Sequence, residues 1–409
     1  GGDGVDLIYG GEGDDNIQPG LGGDNQSDLQ VIDAGAGDDY ISGIDNFKVI
    51  GGTGDDTVIG DAIYFDGGEG DDSISLSNIA YKVDFLDGGE GTDSLTVGYN
   101  GYEGQILDRN FGASSIGDAI TNFEIINFHG TNPTSFTLGS QALSAGETIT
   151  INDSTVGVSF NSLSEANIVI NTSAYSSEWG DGGITLGSGN DVVNFRANNY
   201  YYGTFVDTGA GDDIINARSG NDTFNGGIGN DNINGGSGND AINGGDGNDS
   251  LDGGIGNDAI NGGTGDDTID GSAGDDTIDG GDGNDIINAG DDDDTVTGGA
   301  GNDTIDGGEG IDVAIFSGDK SNYSITETGY AQYQINDDQG TDGTDTLSNI
   351  ETLRFNDQIY DITPSGKIVE GDSSDESLEG GSGDDFIYGF GGNDTLSGDS
   401  GNDIIYGGD

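Results

Sequence analysis

The sequence predicts an all-β chain wound as a parallel β-roll, or β-solenoid, with a strand-rich insertion. Three observations predict it. Residues 208–315 read as twelve nonamers in unbroken register, among them GGIGNDAIN at 253–261 and GGTGDDTID at 262–270. The same nonamer returns at 34, 51, 67 and 88, at intervals of 17, 16 and 21 residues. No helix of useful length is predicted anywhere. A fixed short period of this kind outranks local signals.

Each position of the nonamer has a physical role. Position 6 is Asp in every line, and position 8 is aliphatic or Phe in eleven lines and Ala314 in the last. Glycines at positions 1, 2 and 4 suit positive φ, which other residues reach only at a cost. Beside Asn and Asp they make a tight turn, so the first six residues are expected to be turn. Positions 7–9 are expected to form a very short strand with one inward side chain. Two nonamers then make a coil, repeat n stacks on repeat n + 2, and no coil is stable alone.

Stacked turns also stack the position-6 carboxylates, Asp231 over Asp213 for example. Like charges one strand spacing apart (~4.8 Å) repel along both edges, and a cation between the turns relieves this. Backbone carbonyls plus carboxylates make an all-oxygen shell. That shell suits calcium rather than zinc or copper.

The nonamer GGxGxDxUx, with U aliphatic, resembles the repeats-in-toxin (RTX) family, the haemolysin-type calcium-binding repeat that forms a parallel β-roll. The resemblance implies carboxylate ligation by the position-6 residues Asp213, Asp222, Asp231, Asp240, Asp249, Asp258, Asp267, Asp276, Asp285, Asp294, Asp303 and Asp312. It also implies carbonyl ligation from the turn, through glycines such as Gly226, Gly235, Gly244, Gly253, Gly262, Gly280 and Gly298.

Composition sets the bounds. Formal net charge is −70, which would repel nucleic acid. Glycine supplies 83 of 409 residues without a period of three, which excludes collagen. Such a charged chain ordinarily reads as disordered, but 15 Phe, 16 Tyr and the periodic Ile argue against that. We therefore expect a chain disordered without metal and folded with it. Sites with Kd on the order of 10⁻⁴–10⁻³ M would suffice outside a cell. There is no Cys, which excludes disulfides and thiol chemistry. No apolar run is long enough to span a membrane as a helix.

In chain order, residues 1–97 carry a diluted form of the motif, with Asp6, Asp15, Asp39, Asp56, Asp72 and Asp93 at position 6. The strands FKVI (47–50), AIYF (62–65) and YKVDFL (81–86) are expected on the other edge, leaving one row of calcium turns. Residues 98–185 read as a metal-poor solenoid in which EIINF (124–128), TITIN (148–152), NIVIN (167–171) and GITL (183–186) recur. A phrase at 76–79, 120–123 and 347–350 is read as a recurring strand entry, not a site. LGSGNDVVN (186–194) restores the motif with Asp191 and opens the regular roll of 186–315. Asn198 to Gly203 forms an expected loop, whose tyrosines could stack on sugars or pack on the roll face. A cell-surface polysaccharide is therefore one candidate partner. Residues 316–370 resemble the strand-rich extension that follows RTX rolls, expected to cap or widen the roll. Residues 371–409 form a second short array with Asp385, Asp394 and Asp403, while Glu376 breaks the pattern in its first line.

No catalytic constellation is visible. His129 is the sole histidine, which removes HExxH chemistry. No Ser has Gly at both −2 and +2, so the lipase elbow is absent. The chain starts on position 1 and stops three residues into a repeat, so head-to-tail self-association or continuation into further repeats is expected. Two functions fit: a secreted calcium-stiffened structural protein of a surface layer, filament or adhesin, or a non-catalytic stabilising and type I secretion module of an exoenzyme.

Overall fold

The position-6 Asp and position-8 Ile of each nonamer do fall on fixed places of a coil. The computed structural model describes residues 7–19, 30–76, 85–98, 120–121, 125–129, 135–138, 148–153, 157–160, 167–172, 184–195, 203–329, 331–340, 342–362, 368–382, 385–400 and 403–408. Two compact units form, Gly1–Asp246 and Gly247–Asp409. Each is a parallel β-solenoid.

In the second unit, one sheet stacks Ser250–Ile255, Thr268–Ala273, Ile286–Asp291 and Thr304–Glu309, all parallel. The opposite sheet stacks Ala259–Thr264, Thr277–Asp282, Thr295–Ala300 and Val313–Ile315. Position 8 fills the interior, with Leu251, Ile269, Ile287 and Ile305 in one row and Ile260, Ile278, Val296 and Ala314 in the other, all buried. A buried Ile contributes roughly 1.5–3 kcal/mol. Two such side chains per coil are too few to hold so much glycine-rich backbone in place unaided.

Two expectations about the nonamer need correction. Most strands of the array are six residues long, not three, because they run on through positions 1–3 of the next nonamer. Parallel neighbours make this possible by pairing glycine with glycine, as Gly263 with Gly281. Positive φ is confined to positions 2 and 4, for example Gly254 at 95° and Gly256 at 137°. Position 1 is not among the positive-φ residues, and its glycine serves a different purpose, described below.

The segment after the array does cap it. Thr344–Ser348 continues one sheet in parallel beside Thr304–Glu309, and Thr352–Arg354 continues the other beside Val313–Ile315. The hairpin Tyr323–Gly329 with Gln332–Asp337 then joins Thr344–Ser348 antiparallel, and Ile359–Asp361 does the same on Thr352–Arg354. Antiparallel strands cannot propagate the coil, so the parallel stack ends here. Phe316, Tyr323 and Phe355, with ring centroids 5.1–5.3 Å apart, form the core of the cap. Beyond it, Ile368–Glu370, Phe386–Tyr388 and Ile404–Tyr406 stack parallel, as do Ser377–Ser382 and Thr395–Ser400.

In the first unit, Tyr40–Thr53 and Thr57–Glu69 are continuous strands of 14 and 13 residues. Register shifts between Ser42 and Lys48 mark where they turn a corner without a Gly-Asp turn. FKVI and AIYF lie on these strands, and of the third expected strand, 81–86, only Phe85 and Leu86 fall within the described residues, at the start of the strand Phe85–Glu90. Farther on, Ile125–His129, Thr148–Asp153, Asn167–Thr172 and Val192–Phe195 stack in one sheet. Ile184–Thr185 does not join that series as expected. It lies in the opposite sheet, after Ser135–Leu138 and Gly157–Phe160 and before Phe205–Ala210. Interval counting cannot separate two sheets when the turns between them vary in length. The phrase read as a strand entry marks strand exits at Leu76 and at Leu347–Ser348. Asp6 and the tyrosines of the expected 198–203 loop lie outside the described residues.

Candidate metal centre

Each coil edge carries a ladder of position-6 carboxylates. On one edge of the second unit the Asp258 N–H donates to Asp276 Oδ1 at 2.7 Å, Asp276 to Asp294 at 2.7 Å, and Asp294 to Asp312 at 2.9 Å. On the other edge Asp249, Asp267, Asp285 and Asp303 are linked in the same way at 2.8–2.9 Å. The first unit repeats the arrangement. Asp191, Asp213 and Asp231 form one ladder, and Asp222 donates to Asp240. Asp15, Asp39, Asp56, Asp72 and Asp93 form another at 2.7–2.9 Å. Glu376 to Asp394 and Asp385 to Asp403 follow suit at 3.0 Å. Glu376 Oε2 instead accepts from Asp372 within its own turn.

One oxygen of each carboxylate is thereby used, and this relieves part of the repulsion expected from stacking. At nine of these positions the other oxygen has no such use. Oδ2 of Asp267, Asp276, Asp285, Asp294, Asp303 and Asp312 is buried and has no hydrogen-bond partner, and the same holds for Asp39, Asp56 and Asp72. Burial pushes the carboxyls of Asp267, Asp276 and Asp294 up to about 7, with neighbouring carboxylates adding to the shift. A buried carboxylate oxygen without a donor is costly, so a positive ligand is called for.

Position 1 shows where that ligand would sit. A Cβ built on Gly253 would stand 2.6 Å from Asp258 Oδ2 and 3.0 Å from the carbonyl of Gly271, one coil away. The same two oxygens, a position-6 Oδ2 and the next coil's position-1 carbonyl, converge beside Gly226, Gly262 and Gly280. The carbonyls belong to Gly244, Gly280 and Gly298 respectively. Gly298 itself packs on Asp303 Oδ2. Thr208 takes position 1 in the first repeat of the array, and its Oγ1 donates to the Gly226 carbonyl at 2.9 Å. A hydroxyl therefore fills the place left open at Gly226.

Among the described residues no three carboxylate or imidazole groups converge on one point. A cation here must therefore draw on main-chain carbonyls as well as carboxylates. That donor set fits calcium and is wrong for an all-side-chain zinc or copper centre.

Position 5 was missed at the sequence level. Its exposed Asn and Asp side chains form a second ladder running the opposite way. The Asn284 N–H donates to Asp266 Oδ1 at 2.7 Å and Asn302 to Asn284 at 3.1 Å. Position 5 is Asn or Asp in eleven of the twelve nonamers, and that was the available signal. Also missed were Asp345 and Glu351, which accept the last ladder amides, from Asp303 at 2.9 Å and Asp312 at 2.8 Å.

The family model for the RTX calcium-binding nonapeptide repeat, taken as four copies, matches residues 1–25, 31–43, 48–62, 204–233, 225–260, 252–287, 279–314 and 370–409, together about half of the chain. No curated protein matches the chain as a relative. Among the described residues no helix is long and apolar enough to cross a membrane. The ladders, the orphaned Oδ2 atoms and the family match agree, and the chain belongs to the RTX family of calcium-binding nonapeptide-repeat proteins.

Proposed function

We propose that this protein is a secreted calcium-binding structural protein whose β-roll folds and stiffens when calcium enters the turns. The observation that supports this best is the run of buried, unpartnered Oδ2 atoms along Asp267, Asp276, Asp285, Asp294, Asp303 and Asp312. A chain with that feature is held back from folding where calcium is scarce and folds where it is plentiful, which suits export followed by assembly outside the cell. We further propose that the folded chain forms or supports an extracellular surface layer, filament or adhesin rather than performing catalysis. Every described segment is solenoid or cap.

The test is circular dichroism of the chain during calcium titration and chelation, followed by electron microscopy of the calcium-loaded sample. β signal that appears with calcium and disappears with chelator supports the folding role, and β signal indifferent to chelator refutes it. Fibres or sheets support the structural role. Dispersed monomers at millimolar calcium would favour the reading as a stabilising module of an exoenzyme.

A further inference from the structure

The cap touches the array at a place that repeats the geometry of a metal turn without its sequence. Residues 349–351 stand where positions 1–6 of a nonamer stand in the array, since Ser348 pairs with Asp306 at position 9 and Thr352 with Val313 at position 7. Ser348 ends one strand and Thr352 begins the next, so three residues join them. Asn349 takes φ 51°, a positive region that glycine mostly fills in this chain. Its Nδ2 donates to Asp306 Oδ1 at 2.7 Å, which helps hold that conformation.

Two oxygens converge beside Gly307 as they do beside Gly253. A Cβ there would meet the carbonyl oxygen of Asn349 and stand 2.7 Å from Asp312 Oδ2. Asp312 is fully buried, and its Oδ2 has no hydrogen-bond partner. Glu351 completes the rung, with Oε2 accepting the Asp312 N–H at 2.8 Å as an Asp does in every earlier coil. Glutamate is one methylene longer than aspartate. That extra reach compensates for the three residues by which this segment is shorter than positions 1–6.

We propose that Asp312, the Asn349 carbonyl and Glu351 form a further calcium site that ties the cap to the array. The family match stops at 314 and resumes at 370, so Asn349 and Glu351 lie outside every matched stretch. Calcium there bridges the last regular turn and the strands Thr344–Ser348 and Thr352–Arg354 of the cap. Docking of the cap is thus metal-dependent in its own right. The inference rests on the reading of the position-6 ladder as calcium sites, and the test separates the two.

Bound calcium per chain is measured at saturation on the full chain and on Glu351→Gln, which keeps an acceptor for the Asp312 amide but removes the charge. Amide hydrogen exchange of 352–361 is followed against calcium concentration. We expect Glu351→Gln to bind one ion fewer and to raise the calcium midpoint for protecting 352–361 about tenfold. Asp276→Asn, inside the array, should also lose calcium. If Asp276→Asn loses calcium and Glu351→Gln does not, the cap site is wrong while the ladder reading stands. If neither loses calcium, the ladder reading itself fails. Leu353→Ala loosens the same strand without removing an oxygen and should keep the full calcium count. An equal loss in Leu353→Ala would trace the effect to undocking and overturn the ligand assignment.

Discussion

The amide of Asp276 donates to Oδ1 of Asp294 at 2.7 Å across one coil, while Oδ2 of each carboxylate is buried without a donor. One side chain therefore does two things. Its outer oxygen registers adjacent coils, and its inner oxygen waits for a cation.

Asp276→Ala removes both functions at once. The Asp258 N–H loses its acceptor, which costs about 1–3 kcal/mol when buried. The variant should melt lower than wild type at saturating calcium and bind less of it. Unchanged melting at saturating calcium would disprove the role given to position 6.

The pH response should change sign with metal. Burial raises the Asp276 and Asp294 carboxyls from 3.8 to about 7. Without calcium the folded chain keeps these protons up to about pH 7 while the unfolded chain releases them near 3.8, so stability falls as pH rises across that window. With calcium the trend reverses, because the ion binds only deprotonated carboxylates. β signal by circular dichroism at about pH 5 and about pH 8, with chelator and with calcium, checks this. Parallel pH trends in the two conditions would contradict it.

Glycine positions should differ in tolerance. Gly274, at position 4, has φ 127°, and Gly274→Ala should cost about 1–3 kcal/mol. Gly271, at position 1, is not in the positive-φ region, and position 1 already carries Ala34, Ala217 and Ala289 in other repeats. Gly271→Ala keeps its backbone conformation but crowds Asp276 Oδ2 and the Ala289 carbonyl. It should therefore lower the melting temperature less than Gly274→Ala does while weakening calcium binding, as calorimetry with and without calcium measures.

A core deletion should stay local. Ile278 is buried and pairs with Ile260 on one side and Val296 on the other. Ile278→Ala should cost about 2–5 kcal/mol. In a stacked repeat fold the loss should fall on adjacent coils. Hydrogen exchange should speed up in 259–264 and 295–300 while the hairpin 323–337 keeps its protection. Uniform acceleration would show that the unit unfolds as a single block.

Much of this was legible in the residues. The period places Asp and Ile at constant phase, and since a coil has only two faces and two edges, phase alone assigns Ile278 to the interior and Asp276 to an edge. Composition reads the turns for the same reason, because positions 2 and 4 need positive φ and glycine alone takes it cheaply. The sequence by itself thus determined the coil and the stacking of the position-6 carboxylates along its edges. Tertiary structure decided what depends on contacts between segments that share no period. It placed Ile184–Thr185 in the sheet opposite to its look-alikes, since varying turn lengths erase the count. It brought Glu351 to Asp312 across 39 residues, with a hairpin between. Three residues with a longer acid take the place of positions 1–6 with a shorter one, and only packing against the last coil brings the two into correspondence.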